Sequence, residues 1–133
     1  MELAEVESVL GCFSTLRAPR HLVMIKEPVT EKVDGLAYFR GLSPKHRHDT
    51  IVITPQATPE TVVHEAIHAQ FGLGEFATYP LARAWVRKYN LLRAVCLPCL
   101  KKKRVEYQKC PGCGEFALLH ERYGGRAEHY IRA

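Results

Sequence analysis

The sequence predicts an α+β fold, and three observations carry that prediction. Apolar residues near the start recur at helical spacing. Three short apolar or β-branched runs follow, separated by turn and loop residues. Residues 58–72 then carry a full set of helix start and stop signals. The order read from these is helix, three strands, two helices, two cysteine pairs and a strand-like tail.

Each element has its own reason. Leu3, Val6, Leu10 and Phe13 share one face of a helix expected over residues 2 to about 14, and Pro19 ends that region. Residues 21–26 form a short apolar strand. Asp34-Gly35 marks a turn before a second strand at 36–40, and residues 41–49 read as a polar loop. Residues 50–54 are β-branched throughout, a third strand that Pro55 closes. Thr58 is placed to cap the next helix, Pro59 suits its first position, Glu60 complements its dipole and Gly72 stops it. A further helix follows Glu75, with Pro80 in its first turn and Leu81, Trp85, Tyr89 and Leu92 as its buried stripe. The best junction falls near residue 93, dividing the chain into units 1–93 and 94–133, the second ending in a tail with a Gly124-Gly125 turn.

Composition sets the limits. A chain of 133 residues with 47% hydrophobic side chains can bury one modest core. The acidic start leads into no long apolar run, so no signal peptide and no membrane span are expected. The protein is expected to be a soluble intracellular monomer, cytoplasmic or nucleoid-associated. Charge is uneven: residues 1–70 carry 7 Lys/Arg against 9 Asp/Glu, a net of −2, and residues 71–133 carry 12 against 5, a net of +7. A basic partner surface therefore belongs to the C-terminal half.

The helix at 58–72 contains His64-Glu65-x-x-His68. Residues four apart share a helix face, so both imidazoles can converge on one ion, while Glu65 lies one position round, in reach of a water on that ion. The plain alternative is two exposed histidines and a surface glutamate. The neighbouring apolar residues Val62, Val63, Ala66, Ile67 and Phe71 argue against it, because a buried polar trio needs partners. Catalytic zinc takes three protein ligands and keeps one open position. Glu75 is the first candidate for the third, swung back by the Gly72-Leu73-Gly74 turn; otherwise that turn is only a C-cap. His120, Glu121 and Glu106 are the rivals, and Tyr79 is a candidate hydrogen-bond donor to a reaction oxyanion. His46 and His48 read as solvated loop, with substrate or metal binding as the alternative.

Cys96-x-x-Cys99 and Cys110-x-x-Cys113 form two knuckles whose thiolates complete a closed tetrahedron, a structural zinc site of ribbon type; a pair of redox dithiols is the alternative. Cys12 reads as a small buried apolar residue in the first helix. Lys101, Lys102, Lys103 and Arg104 fall between the knuckles, at a hairpin tip. They are either a solvated face or a contact for DNA, preferably single-stranded, with Tyr107 and Tyr123 available to stack on bases.

The helix from Glu60 to Ala69, the helix and three strands before it and the cysteine knuckles after the following helix together resemble the SprT-like metalloproteases, the family that includes the Spartan DNA–protein crosslink proteases. The resemblance covers most of residues 20–120. It implies a minimal zincin fold, zinc on His64 and His68, general-base work by Glu65 and proteolysis near DNA. Family members commonly take the third ligand from a histidine beyond the active helix. This chain has none between His68 and His120, and Glu75 stands in that place. The expected function is a zinc metallopeptidase with one catalytic and one structural Zn²⁺, acting on flexible or DNA-associated proteins. A substrate strand would pair with a sheet edge at 36–40 or 50–54. The alternative is a non-catalytic zinc-ribbon module that binds nucleic acid or protein.

Overall fold

The computed structural model of the protein describes residues 1–13, 15–26, 35–38, 49–88, 105–110 and 127–133. Its elements are α1 (Leu3–Gly11), β1 (His21–Ile25), β2 (Gly35–Tyr38), β3 (Thr50–Ile53), α2 (Pro59–Phe71), α3 (Glu75–Lys88), β4 (Tyr107–Lys109) and β5 (Ala127–Arg132). The fold is α+β, and the described residues form three helices and one mixed sheet of order β2-β3-β1-β5-β4. No helix among the described residues is long and apolar enough to cross a membrane.

The strands are where the β-branched runs require them. β1 pairs in parallel with β3, setting Leu22 beside Ile51 and Met24 beside Ile53. Side chains alternate across a strand, so these four share the sheet face on which the helices pack. Val23, Ile25 and Val52 point to the other face and are buried too. β2 runs antiparallel to β3 and forms one edge. Of the two segments considered for substrate pairing, only β2 is therefore an edge; β3 lies between β2 and β1, its backbone already used on both sides.

The strand-like tail is a strand with a definite place. β5 lies antiparallel along β1 from His21↔Ile131 to Ile25↔Ala127, and β4 pairs outside it. The sequence assigned both to the C-terminal unit; they complete the sheet begun by β1, β2 and β3. Side chains fasten this seam. The Tyr107 hydroxyl donates to the Pro19 carbonyl at 2.8 Å, and Lys26 and Lys109 approach Glu128 at 3.8 and 3.4 Å. Tyr107 is thereby packed against the core, so it is not free to stack on a base.

α1 is shorter than its periodicity suggested, ending at Gly11 with the Cys12 amide turned back to the Val9 carbonyl at 3.2 Å. Val6, Val9, Leu10 and Phe13 are buried, and so is Cys12, as expected. α2 begins as read: the Thr58 hydroxyl accepts from the Thr61 amide at 3.3 Å, and Thr61 returns the bond to the Thr58 amide at 3.1 Å. It ends at Gly72, whose φ of 64° is left-handed, a conformation cheap only for glycine. Gln70 ties this end to the loop after α1, accepting from the Arg17 amide at 2.5 Å and donating to the Thr15 carbonyl at 3.2 Å.

α3 departs from its predicted stripe. Its buried residues are Thr78, Ala82 and Val86, with Leu81 and Trp85 half-buried. Trp85 stacks on Phe13 at 5.4 Å between ring centroids. Tyr89 and Leu92 lie outside the described residues. Pro80 sits in the second turn rather than the first, where the ring removes one helical hydrogen bond. The inward face is set by small residues because α3 packs closely along α2 and must bring its first turn to the α2 histidines. Arg83 meets Glu60 at 3.4 Å across this contact.

Candidate metal centre

Residues 62–68 of α2 are all buried, including His64, Glu65 and His68. Two imidazoles and a carboxyl thus sit in the most enclosed stretch of the helix, between the sheet and α3. Unpaired, such groups would cost several kcal/mol, on the order of 2–7 for each neutral polar group. The structure supplies partners for the two imidazoles.

The decisive partner is Glu75. Gly72 reverses the chain, and its amide caps α2 on the His68 carbonyl at 2.9 Å. Of the two turn glycines only Gly72 uses the left-handed region; Gly74 does not, and its carbonyl instead opens α3 by accepting from the Ala77 and Thr78 amides at 3.2 and 3.0 Å. Glu75 is then the first residue of α3, and its carboxylate returns over α2. Its Oε1 lies 3.3 Å from His64 Nε2 and in closer contact with His68 Nε2. The two Nε2 atoms are 2.9 Å apart. His64, His68 and Glu75 each offer one ligand atom, and these lie within 4.8 Å of one another.

The donor chemistry fits a metal ion. His68 Nδ1 lies 2.5 Å from the Leu73 carbonyl, which can only accept, so Nδ1 carries a proton. In the neutral ring this leaves the Nε2 lone pair facing a carboxylate oxygen and a second imidazole nitrogen. Such a convergence of acceptors calls for a cation between them. Two imidazoles and one carboxylate are the ligand set of a catalytic zinc site, whose donors stand ~3.3 Å apart around the ion, with a fourth position left over. His68 also shows the backbone brace typical of metal-ligating histidines. Thr78 supports that brace: its Oγ1 lies 3.3 Å from His68 Nδ1 and donates to the Gly74 carbonyl at 2.9 Å. The sequence reading missed Thr78. A hydroxyl four residues after a helix-opening glycine, on the face turned toward the motif helix, was the available signal.

The electrostatics separate the two carboxyls. Burial raises the Glu75 carboxyl, but hydrogen bonds and charge from His64 and His68 outweigh it and hold the group below its ordinary value. Glu65 moves the other way. Burial, reinforced by the Glu75 charge, pushes it up to about 8. One carboxylate is thus held ionised against the imidazoles, and its neighbour is a buried acid whose proton a nearby cation would release.

Tyr79, one turn after Glu75, brings its ring within 4.5 Å of the His64 ring. Glu106, a rival third ligand, is described and does not join the group. His120 and Glu121 lie outside the described residues, as do His46, His48, Cys96, Cys99, Cys113, Lys101, Lys102, Lys103, Arg104 and Tyr123. Of the four knuckle cysteines only Cys110 is described. It is half-buried, and its amide donates to the His129 carbonyl at 2.9 Å. Compared with protein-family models, with characterised proteins and with solved structures, the chain finds no match.

Proposed function

We propose that the protein is a zinc-dependent peptidase of the H-E-x-x-H type, related in arrangement to the SprT-like metalloproteases. The observation that carries this reading is the convergence of His64, His68 and Glu75 on one point, with Glu65 next to His64 on the same helix. Zinc, when bound, supplies a Lewis acid that brings water near ionisation at neutral pH and polarises a carbonyl. His64, His68 and Glu75 would hold the ion. Glu65 takes a proton from the attacking water on its carboxylate and delivers it to the leaving amine. β2, the sheet edge that α2 packs against, is the place for an extended substrate strand. The substrates this suits are flexible segments, including proteins associated with DNA.

In the same proposal Cys96, Cys99, Cys110 and Cys113 hold a second, structural zinc. Lys101, Lys102, Lys103 and Arg104 between them contact single-stranded DNA through its phosphates. The protein then works as a monomer within the cell, near the nucleoid. Metal analysis tests the first part. Metal-replete protein should hold two zinc ions per chain, one removed by mild chelation together with hydrolysis of an unfolded protein substrate. A single zinc per chain would overturn the enzyme reading. Titration with fluorescent single-stranded DNA tests the second. Alanine at all four basic positions should weaken binding and flatten its salt dependence; no affinity at low salt leaves the cysteine knuckles with a structural role alone.

A further inference from the structure

Among the described residues, the large hydrophobic side chains left exposed are three aromatics: Phe71 at 47%, Phe76 at 98% and Tyr79 at 54%. They are not scattered. Phe71 ends α2 three residues after His68, Phe76 follows Glu75, and Tyr79 contacts the His64 ring at 4.5 Å. Phe76 and Tyr79 are three apart on α3 and so are neighbours on its surface. Beyond them the exposed positions of α3 change character, to Arg83, Ala84, Arg87 and Lys88. A helix with a charged outer face at one end and bare aromatic rings at the other has its apolar exposure concentrated beside the metal ligands. Exposed apolar side chains gathered along one stretch of surface in this way mark a binding surface.

We infer that Phe76 and Tyr79, with Phe71 at the border, form a subsite for a bulky apolar side chain of an extended peptide whose backbone enters the metal centre. The inference rests on the peptidase reading of that centre. The occupant follows from continuity: the Tyr79 ring lies 4.5 Å from that of His64, so a peptide that reaches the centre beside His64 meets it. Polar or acidic side chains gain nothing on such a surface, whereas Phe, Leu or Met bury apolar area against it. Phe76 is almost wholly exposed, so the fold does not depend on it for packing.

The test measures binding separately from cleavage. Zinc-loaded Glu65→Gln protein, which holds a peptide without cutting it, is titrated with two labelled hexapeptides that differ only in a central Phe or Ser. The Phe peptide should bind roughly tenfold more tightly, the discrimination typical of an apolar pocket. Phe76→Ala combined with Tyr79→Ala in that background should remove the preference, bringing the Phe peptide down to the level of the Ser peptide, with zinc content read on the same sample. Equal binding of the two peptides, or a preference that survives the double substitution, overturns the subsite. So does sedimentation showing a dimer that Phe76→Ala dissociates without any peptide preference, which assigns the rings to contact between copies of the chain. Hydrolysis by the unsubstituted protein is read in parallel. A Phe preference without cleavage keeps the subsite and rejects the peptidase; cleavage without a preference does the reverse.

Discussion

Among the described residues, two histidine pairs bring their nitrogens to 2.9 Å, and they lie on opposite sides of the sheet. His64 and His68 belong to α2, on the helix side. His21 and His129 belong to β1 and β5, and His21 alternates with Leu22, which faces the helices. The sheet pair stacks at 26° between ring planes, with centroids 5.1 Å apart. The helix pair meets edge-on at 79°, with centroids 4.6 Å apart. Among the described residues only the helix pair acquires a third donor, Glu75, and only it forms a three-ligand group. The difference teaches that two close imidazoles do not make a metal site. The added carboxylate and the Leu73 carbonyl that fixes the His68 tautomer give this one its chemistry.

The sharpest way to break the comparison is to remove the base and keep the ligands. Glu65→Gln should retain the metal and lose peptide hydrolysis by at least roughly 10²–10⁴-fold, since the amide cannot accept the water proton. Peptide turnover with zinc content measured on the same sample decides this. Cleavage at the parent rate would remove Glu65 from the mechanism and leave α2 as a binding helix only.

The second test sets the two pairs against each other. Glu75→Ala should reduce zinc affinity at the helix pair by more than the ~10–100-fold that loss of an outer-sphere partner costs. His21→Ala should leave that affinity unchanged while altering stability, because its imidazole serves the sheet. Competition with a chromophoric chelator reads both. Zinc binding that survives Glu75→Ala would return the third ligand to the C-terminal candidates.

Much of this contrast was legible in the chain. Cap residues fix α2 locally: Thr58, Pro59 and Gly72 act within their own turn, so no tertiary information is needed to place them. The i, i+4 spacing then aligns His64 and His68 without further help. Glu75 was readable because only three residues separate it from the end of α2. The α3 face was legible only in part: Leu81 and Trp85 do pack against the core, but close approach to α2 puts the small side chains Thr78, Ala82 and Val86 deepest. The place of β5 was also hidden. Nothing in residues 127–132 states that their partner is β1, more than a hundred residues earlier. His129 looks like any surface-strand histidine until that pairing buries it to 2% exposure.

A third test uses pH on protein stripped of metal. Burial and the Glu75 charge raise Glu65 in the folded protein to about 8, against 4.5 for the ordinary side chain. Between those values the folded state holds a proton that the unfolded chain releases. Stability from this group is therefore full below pH ~4.5 and is lost as pH rises toward ~8, with a slope approaching ~1.4 kcal/mol per pH unit in mid-window. Denaturant unfolding of chelated protein across that range should show the decline, and Glu65→Gln should flatten it. A decline that persists in Glu65→Gln would assign it to another group.

The smallest expected effect probes the support of His68. Thr78 is fully buried; its hydroxyl donates to the Gly74 carbonyl at 2.9 Å and lies 3.3 Å from His68 Nδ1. Thr78→Val keeps the shape and removes the hydroxyl. The Gly74 carbonyl still accepts from the amides of Ala77 and Thr78, and His68 still has Leu73, so no group is left wholly without a partner. The fold should lose only about 1 kcal/mol. The imidazole becomes freer to rotate out of line with Glu75, so zinc affinity should fall toward the low end of the ~10–100-fold range for outer-sphere changes. Thermal unfolding of metal-free protein gives the first quantity and chelator competition the second. If stability drops while zinc affinity holds, the hydroxyl serves the α3 opening alone and the Leu73 carbonyl is sufficient to orient the ligand. If both fall, the brace extends into α3, and the helix pair differs from the sheet pair in its supporting bonds as well as in its third donor.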